Sequence, residues 1–221
     1  MNPKTNDKLQ RALQFLDLHH DSFYRAKPFA RDTDHPVPCD TRAWSQILVS
    51  ILTGIRGRKR EKGSDLIDGS DVKAAITWEA IDTPRFNGVL KAGTKAEQSG
   101  KLESLDKMPY LFFVLWDGSP STGRKRCRVW CVHPHKDRAF RRMCKSWYDK
   151  HGAGEIISTN FQLHPPREKD SNEFRNTCGN LLYPLLLCAE HDKDGFVVVG
   201  YRPEVLKSGE CQPSPSKAKK E

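Results

Sequence analysis

Ser64-Asp65-Leu66-Ile67-Asp68-Gly69-Ser70-Asp71-Val72-Lys73-Ala74-Ala75-Ile76 carries the strongest short-range turn signal in the chain, Asp68-Gly69, between two segments able to form strands. Folding back at that pair predicts a β-hairpin with Asp65 on its first strand and Asp71 on its second, so that both carboxylates converge. Lys73 follows Asp71 by two residues, and residues i and i+2 of a strand share a face. Three charges gathered on one hairpin are unusual in a segment that would otherwise be apolar. The bland alternative is a solvated hairpin edge on which Asp71 and Lys73 are same-face neighbours.

Working outward, Leu9, Leu13, Leu16 and Leu18 recur near helical spacing, with Phe15 and Phe23 alongside, and predict an amphipathic helix over the first two dozen residues. A Pro-rich connector with Pro28, Pro36 and Pro38 follows. Asp40 then reads as the N-cap of a helix carrying Trp44, Ile47, Leu48, Ile51 and Leu52, which Gly54 ends. Downstream of the hairpin, Thr83 to Lys107 is polar and Gly-bearing, a long loop or short helix able to lie over a substrate. Tyr110 to Trp116 is a nearly continuous apolar run that suits a central buried strand. Its expected partner is Cys127 to Val132, across a turn with Arg124, Lys125 and Arg126. His135 to His151 has helical spacing. Glu155 to Leu163 is a candidate strand, Leu181 to Cys188 is open between helix and strand, and Phe196 to Tyr201 reads as strand from its valines.

The expected fold class is therefore α/β or α+β: a mixed central sheet with the hairpin, flanked by helices. One domain spans residues 1–206, with N-terminal helices over 1–54 and a core over 55–206. Residues 207–221 form a basic, disordered tail.

With 37 Lys and Arg against 28 Asp and Glu, the 221-residue chain carries a formal charge of +9, which points to a polyanionic partner, nucleic acid first. Seven scattered cysteines, an odd number, lack the framework of a small secreted domain. The N-terminus has no apolar signal region and no run approaches a membrane span, so a soluble cytoplasmic protein without membrane association is expected.

Hydrolysis of a phosphodiester draws on a divalent cation, and hard cations such as Mg2+ select carboxylate oxygens. Asp65 and Asp71 would hold Mg2+, with the backbone carbonyl of Val72 as a further oxygen. The Lys73 ammonium would orient water and stabilise developing charge. Ala74 and Ala75 leave room for a nucleic-acid backbone.

In these residues, Asp65 followed by Asp71-Val72-Lys73, the chain resembles the PD-(D/E)xK nuclease superfamily, and the short gap is similar to its MutH-like branch. Ser64 stands where that signature has Pro, and the second acid is Asp where Glu is commoner. Thr77-Trp78-Glu79-Ala80-Ile81-Asp82-Thr83-Pro84-Arg85-Phe86-Asn87-Gly88 resembles the continuation in Type II restriction endonucleases of the MamI type. The resemblance implies a restriction enzyme that cuts double-stranded DNA, acts as a homodimer on a palindrome and belongs to a restriction-modification system.

Arg56, Arg58, Lys59, Arg60 and Lys62 immediately precede the hairpin and are candidates for phosphate contacts, the alternative being a solvated basic loop. Arg85 and Asn87 are residue types that read guanine and adenine edges. Gln162, Arg167, Asn172, Arg175 and Asn176 form a second donor-rich segment, which reads equally as an ordinary surface loop. Cys127, Cys131, His133 and His135 invite a zinc reading, but Cys-x-x-x-Cys on a strand spaces the thiols too far apart for a knuckle, and core cysteines are expected. The adjacent His19 and His20 are expected at a helix surface. Beside the endonuclease stand two alternatives, a noncatalytic basic DNA-binding protein and a zinc-stabilised interaction domain.

Overall fold

The apolar run at 110–116 becomes the centre of the molecule. In the computed structural model, which describes residues 3–32, 40–58, 63–80, 83–94, 97–98 and 101–215, the chain forms α1 (Pro3–Asp32), α2 (Arg42–Thr53), β1 (Asp71–Ile76), α3 (Glu103–Asp106), β2 (Leu111–Gly118), β3 (Lys125–Val132), α4 (Arg138–Gly152), β4 (Glu173–Asn176), β5 (Gly179–Leu182), β6 (Leu185–Asp192), β7 (Gly195–Tyr201), α5 (Val205–Ser208) and β8 (Gln212–Pro213). Five strands make a mixed sheet in the order β1-β2-β3-β6-β7. Only the β1–β2 pair is parallel, Asp71 lying beside Leu111 and Lys73 beside Phe113. Strands β4, β5 and β8 form a smaller antiparallel sheet. This is the mixed, helix-flanked architecture expected from the sequence.

Strand β2 is apolar from Leu111 to Trp116 because both of its faces are covered. Phe112, Val114 and Trp116 point into a core with Leu9, Leu16 and Phe23 of α1 and Leu48, Val49 and Leu52 of α2. Leu111, Phe113 and Leu115 point into a second core with Phe140, Cys144 and Trp147 of α4. The alternation is the two-residue period of a strand.

Several boundaries differ from the sequence expectation. Helix α1 runs to Asp32 with Pro28 inside it, not in a connector; Phe23 and Ala30 on either side of Pro28 are buried, so packing outweighs local propensity. Pro36 and Pro38 lie outside the described residues, as do Lys59, Arg60 and Lys62. Thr41, not Asp40, is the N-cap of α2, while Asp40 accepts from the Arg42 amide; Gly54 ends the helix as expected, at φ 80°. Lys125 and Arg126 belong to β3 and not to the turn before it. Glu155 to Leu163 contributes only isolated bridges at Asn160 and Leu163, and the apolar stretch Leu181 to Cys188 divides into β5 and β6.

The expected disordered tail begins too early. Cys211 is buried and Gln212–Pro213 pairs with β5, so the chain stays packed at least that far, while residues 216–221 lie outside the described set. His19 is not at a surface either: it is 4% exposed, against the rings of Trp44, Trp78 and Trp116, and His20 stacks on His191 at 3.7 Å. Cys127 and Cys131 are buried core thiols of β3. Among the described residues, no helix is long and apolar enough to cross a membrane.

Candidate active site

Strand β1 is an edge strand, and its free edge is where the charged residues gather. The Asp71 amide donates to the Tyr110 carbonyl and the Thr77 amide to that of Trp116, so the odd-numbered residues of β1 are bonded to β2. Amide and carbonyl of one strand residue leave on the same side, hence Val72 turns both of its groups to the open edge. The Val72 amide meets a carboxylate there: Asp65 Oδ2 accepts from it at 2.9 Å.

The hairpin expected around Asp68-Gly69 does not form: β1 pairs with β2, and Asp65 lies ahead of a tight turn and not on a strand. Leu66 is a single bridge residue, paired with Gly57, and not part of a longer strand beside β1. From Leu66 the chain turns through Asp68, whose carboxylate accepts from both the amide and the hydroxyl of Ser70, and Gly69, at φ 95°. A Cβ at Gly69 would stand 3.0 Å from the Lys107 carbonyl oxygen, so both the conformation and the space demand glycine. Ser70 Oγ in turn accepts from the Tyr110 amide, which ties the turn to the start of β2. The turn performs the expected task of bringing Asp65 back against Asp71.

The three sequence-predicted chemical residues come together. Asp71 and Lys73 share a face of β1, with Lys73 Nζ 2.5 Å from Asp71 Oδ2. Asp65 and Asp71 converge on one donor, the Val72 amide, at 2.9 and 3.1 Å, and the pair splits its proton affinities. Burial, the proximity of Asp71 and that neighbour's charge push the Asp65 carboxyl up to about 6, against the pull of the Val72 amide and Lys73. Burial opposes the charge of Asp71 as well, but Asp65, Lys73 and the Val72 amide outweigh it and hold that carboxyl below its usual range. Two carboxylates pressed together beside a free carbonyl make a hard-oxygen donor set that asks for a cation. Among the described residues no group of three or more His, Cys, Asp or Glu side chains gathers to hold a metal, so the carboxylates here number two and the Val72 carbonyl is the further oxygen.

A fourth residue gives no sign of its role in the sequence. Gln46 of α2 donates from Nε2 to Asp65 Oδ1 at 2.6 Å, fixing the carboxylate from the side opposite Val72. The hydrogen bond joins residues 19 apart through tertiary packing, and a glutamine on an amphipathic helix carries no local signal of it.

Two clefts meet at this edge. One, of about 890 Å³, is lined by α1, α2, Gly57, Arg58 and Asp65. The other, of about 350 Å³, is lined by Arg42, Val72, Lys73, Arg85 and Asn87, among others. The two candidate recognition segments stand side by side: Phe86 bridges Leu163, and His164 bridges Arg175. Burial and the neighbouring charges of Arg175 and Arg85 lower the proton affinity of His164, which locates all three in one electrostatic neighbourhood.

Other members of that segment have structural duties. Asn172 Oδ1 accepts from Trp130 Nε1, Asn176 donates to the Gln162 carbonyl and accepts from the Cys178 amide, and Arg167 pairs loosely with Glu168 at 3.5 Å. Arg56 and Arg58 flank Asp65 through backbone pairing, the Arg58 amide donating to the Asp65 carbonyl.

A profile of the MamI restriction endonuclease family matches residues 28–198. The chain is 31% identical over 177 residues to the Type II restriction enzyme MamI of Microbacterium ammoniaphilum, an alignment that takes in 76% of this chain. It spans 56% of the length of that relative, little more than half. No solved structure matches.

Proposed function

The chain belongs to the MamI restriction endonuclease family, and from that premise we propose that it is a Type II site-specific endonuclease that hydrolyses phosphodiester bonds of double-stranded DNA with Mg2+. The observation that carries the reading is the convergence of Asp65 and Asp71 on the Val72 amide at the open edge of β1, with Lys73 against Asp71.

Asp65, Asp71 and the carbonyl of Val72 would hold Mg2+. One or two carboxylates with substrate phosphate and water suit that ion better than a full protein cage does. When bound, the cation supplies charge neutralisation at the scissile phosphate and makes a water more acidic. The protein's part is to hold Asp71 ionised beside Lys73 and to fix both carboxylates in place. Gln46 and the Val72 amide each occupy one oxygen of Asp65. Lys73 keeps its ammonium beside Asp71, where it orients the attacking water and offsets charge growing on the phosphate. Arg56, Arg58, Lys59, Arg60 and Lys62 contact phosphates, and Arg85 and Asn87, opening onto the cleft of Lys73, read base edges together with Arg175. Gln162, Arg167, Asn172 and Asn176 complete that recognition segment. The enzyme acts in the cytoplasm as a homodimer within a restriction-modification system, on one domain over residues 1–206.

The test is digestion of unmethylated plasmid and phage DNA with Mg2+ or with EDTA, beside Asp71→Asn. Discrete Mg2+-dependent fragments that Asp71→Asn no longer makes, with its DNA binding retained, are the expected result. Intact DNA in every lane despite a gel shift would replace the endonuclease with a noncatalytic DNA-binding protein.

A further inference from the structure

The larger of the two clefts meets the chemistry above only at one end, through Asp65, Gln46 and Arg58. Its sides are the N-terminal half of α1, through Lys8 and Arg11, and the exposed flank of α2, through Ile47 and Ile51; Arg58 lies at the end nearest Asp65. Helix α1 is fixed by Leu9, Ala12 and Leu16, which are buried, and Lys8 and Arg11 beside them line the cleft. The Lys8 ammonium reaches across to α2, where a Cβ on Gly54 would stand 3.4 Å from it. Among the described residues, Lys8, Arg11 and Arg58 have no ion-paired or hydrogen-bonded side-chain partner, and Asp7 is the other acidic residue on the wall besides Asp65.

Unpaired cations along a groove with an apolar floor fit a chain of phosphates whose sugars face the floor. The groove ends at Asp65, whose carboxylate accepts from the Val72 amide, and Val72 in turn lines the second cleft with Lys73 and Arg85. We propose that the cleft between α1 and α2 carries the DNA strand beyond the scissile phosphate, with Lys8, Arg11 and Arg58 on successive phosphates. The part of α1 that supplies Lys8 and Arg11 lies ahead of the family match, which begins at residue 28, so this path draws on residues outside the family's shared region. The proposal rests on the endonuclease reading and extends it.

Binding of a labelled mixed-sequence duplex is measured by fluorescence anisotropy across a salt series, in an Asp71→Asn background that keeps the DNA intact. Each phosphate that the protein no longer neutralises reduces the slope of log K against log salt by about 0.9. The pair Lys8→Gln and Arg11→Gln together is therefore expected to lower the slope by about 2 and to weaken binding roughly tenfold or more at 0.1 M salt, whatever the sequence. Arg25→Gln, on the same helix and 84% exposed, serves as the control and is expected to change neither. An unchanged slope in the double variant, with the parent still binding DNA, overturns this path and leaves the endonuclease reading untouched. A double variant that alters the oligomeric state by sedimentation, with the slope unchanged, assigns the groove to a second copy of the chain and also overturns it. A parent that neither binds nor cuts DNA refutes the endonuclease reading itself.

Discussion

Asp117→Ala should be among the most destabilising single substitutions in this protein. Asp117 is the last-but-one residue of β2, its side chain 0% exposed, and it faces two arginines of β3, Arg126 and Arg128, each 3% exposed. Arg126 grips it with Nε and Nη2, both at 2.9 Å; Arg128 Nη2 reaches the same carboxylate at 2.6 Å, and the Glu168 amide at 3.1 Å. Alanine would leave two buried guanidinium groups facing each other without their shared anion. Removing one partner of a buried ion pair costs about 3–5 kcal/mol. Arg126 retains Asp170 at 2.7 Å, which keeps the expected loss near ~4 kcal/mol and not above the range. In a domain of this length that loss corresponds to a fall in Tm of roughly 8–16 °C. Urea unfolding followed by circular dichroism measures it, with Asp170→Ala as the comparison. Asp170 is 53% exposed, and its loss should cost under about 1 kcal/mol. The reasoning fails if Asp117→Ala loses less than about 1 kcal/mol, or if Asp170→Ala loses as much. Replacing the whole triad by apolar residues should not restore stability here, because Arg128 also donates to the carbonyls of Pro166, Lys169 and Ser171, which would lose their partner.

Gln46→Leu removes the donor that fixes Asp65 while keeping the volume of the side chain, and should lower kcat for DNA cleavage about 10–100-fold with little change in DNA affinity; equal losses in both would show that Gln46 supports the fold and not the carboxylate. Stability should also fall in mild acid. Burial, and then the neighbouring charge of His20, lower the pKa of His19 from 6.5 to about 4. Between those values the unfolded chain takes up a proton that the folded chain refuses. Stability is therefore full above pH 6.5 and declines as pH falls towards 4, by ~3 kcal/mol. His20, whose own pKa is lowered by burial and by His191 and raised by Asp21 and Asp17, adds to the same slope. Chemical denaturation at a series of pH values should give a shallower dependence for His19→Leu, and identical slopes would refute the assignment.

How much of this was legible in the sequence varies with the range of the interaction. The convergence of Asp65, Asp71 and Lys73 was readable because it is local: the three lie within one turn and one strand, where spacing alone determines which side chains share a face. The buried strands β2 and β3 and the edge strand β7 were readable because a continuous apolar run or a cluster of valines has few other uses. What escaped is tertiary. Gln46 on Asp65, the Asp117 cluster and the burial of His19 among three tryptophans each join residues distant in sequence. Arg126 was misleading for a related reason. Charged residues near a turn look solvated unless the acid that neutralises them, contributed by the neighbouring strand, is known to face them.

The parallel pairing of β1 with β2 accounts for the location of the site more fully than the turn at Asp68-Gly69 does. A hairpin would return directly into the neighbouring strand, but a parallel pair requires a crossover. Here that crossover is the stretch from Thr77 to Tyr110, whose first part carries Arg85 and Asn87 into the cleft that Lys73 lines. The same pairing leaves β1 with a second, open edge. An unpaired edge is ordinarily a liability, since its amides and carbonyls invite another strand. In this chain Asp65 takes the Val72 amide and crowds that edge with charge, so the groups that would promote aggregation become part of a polar site. The fold thus requires at one place an exposed carbonyl, a carboxylate to occupy its amide and a long connection passing alongside, which are the elements a cation-assisted cut in a nucleic-acid strand can use.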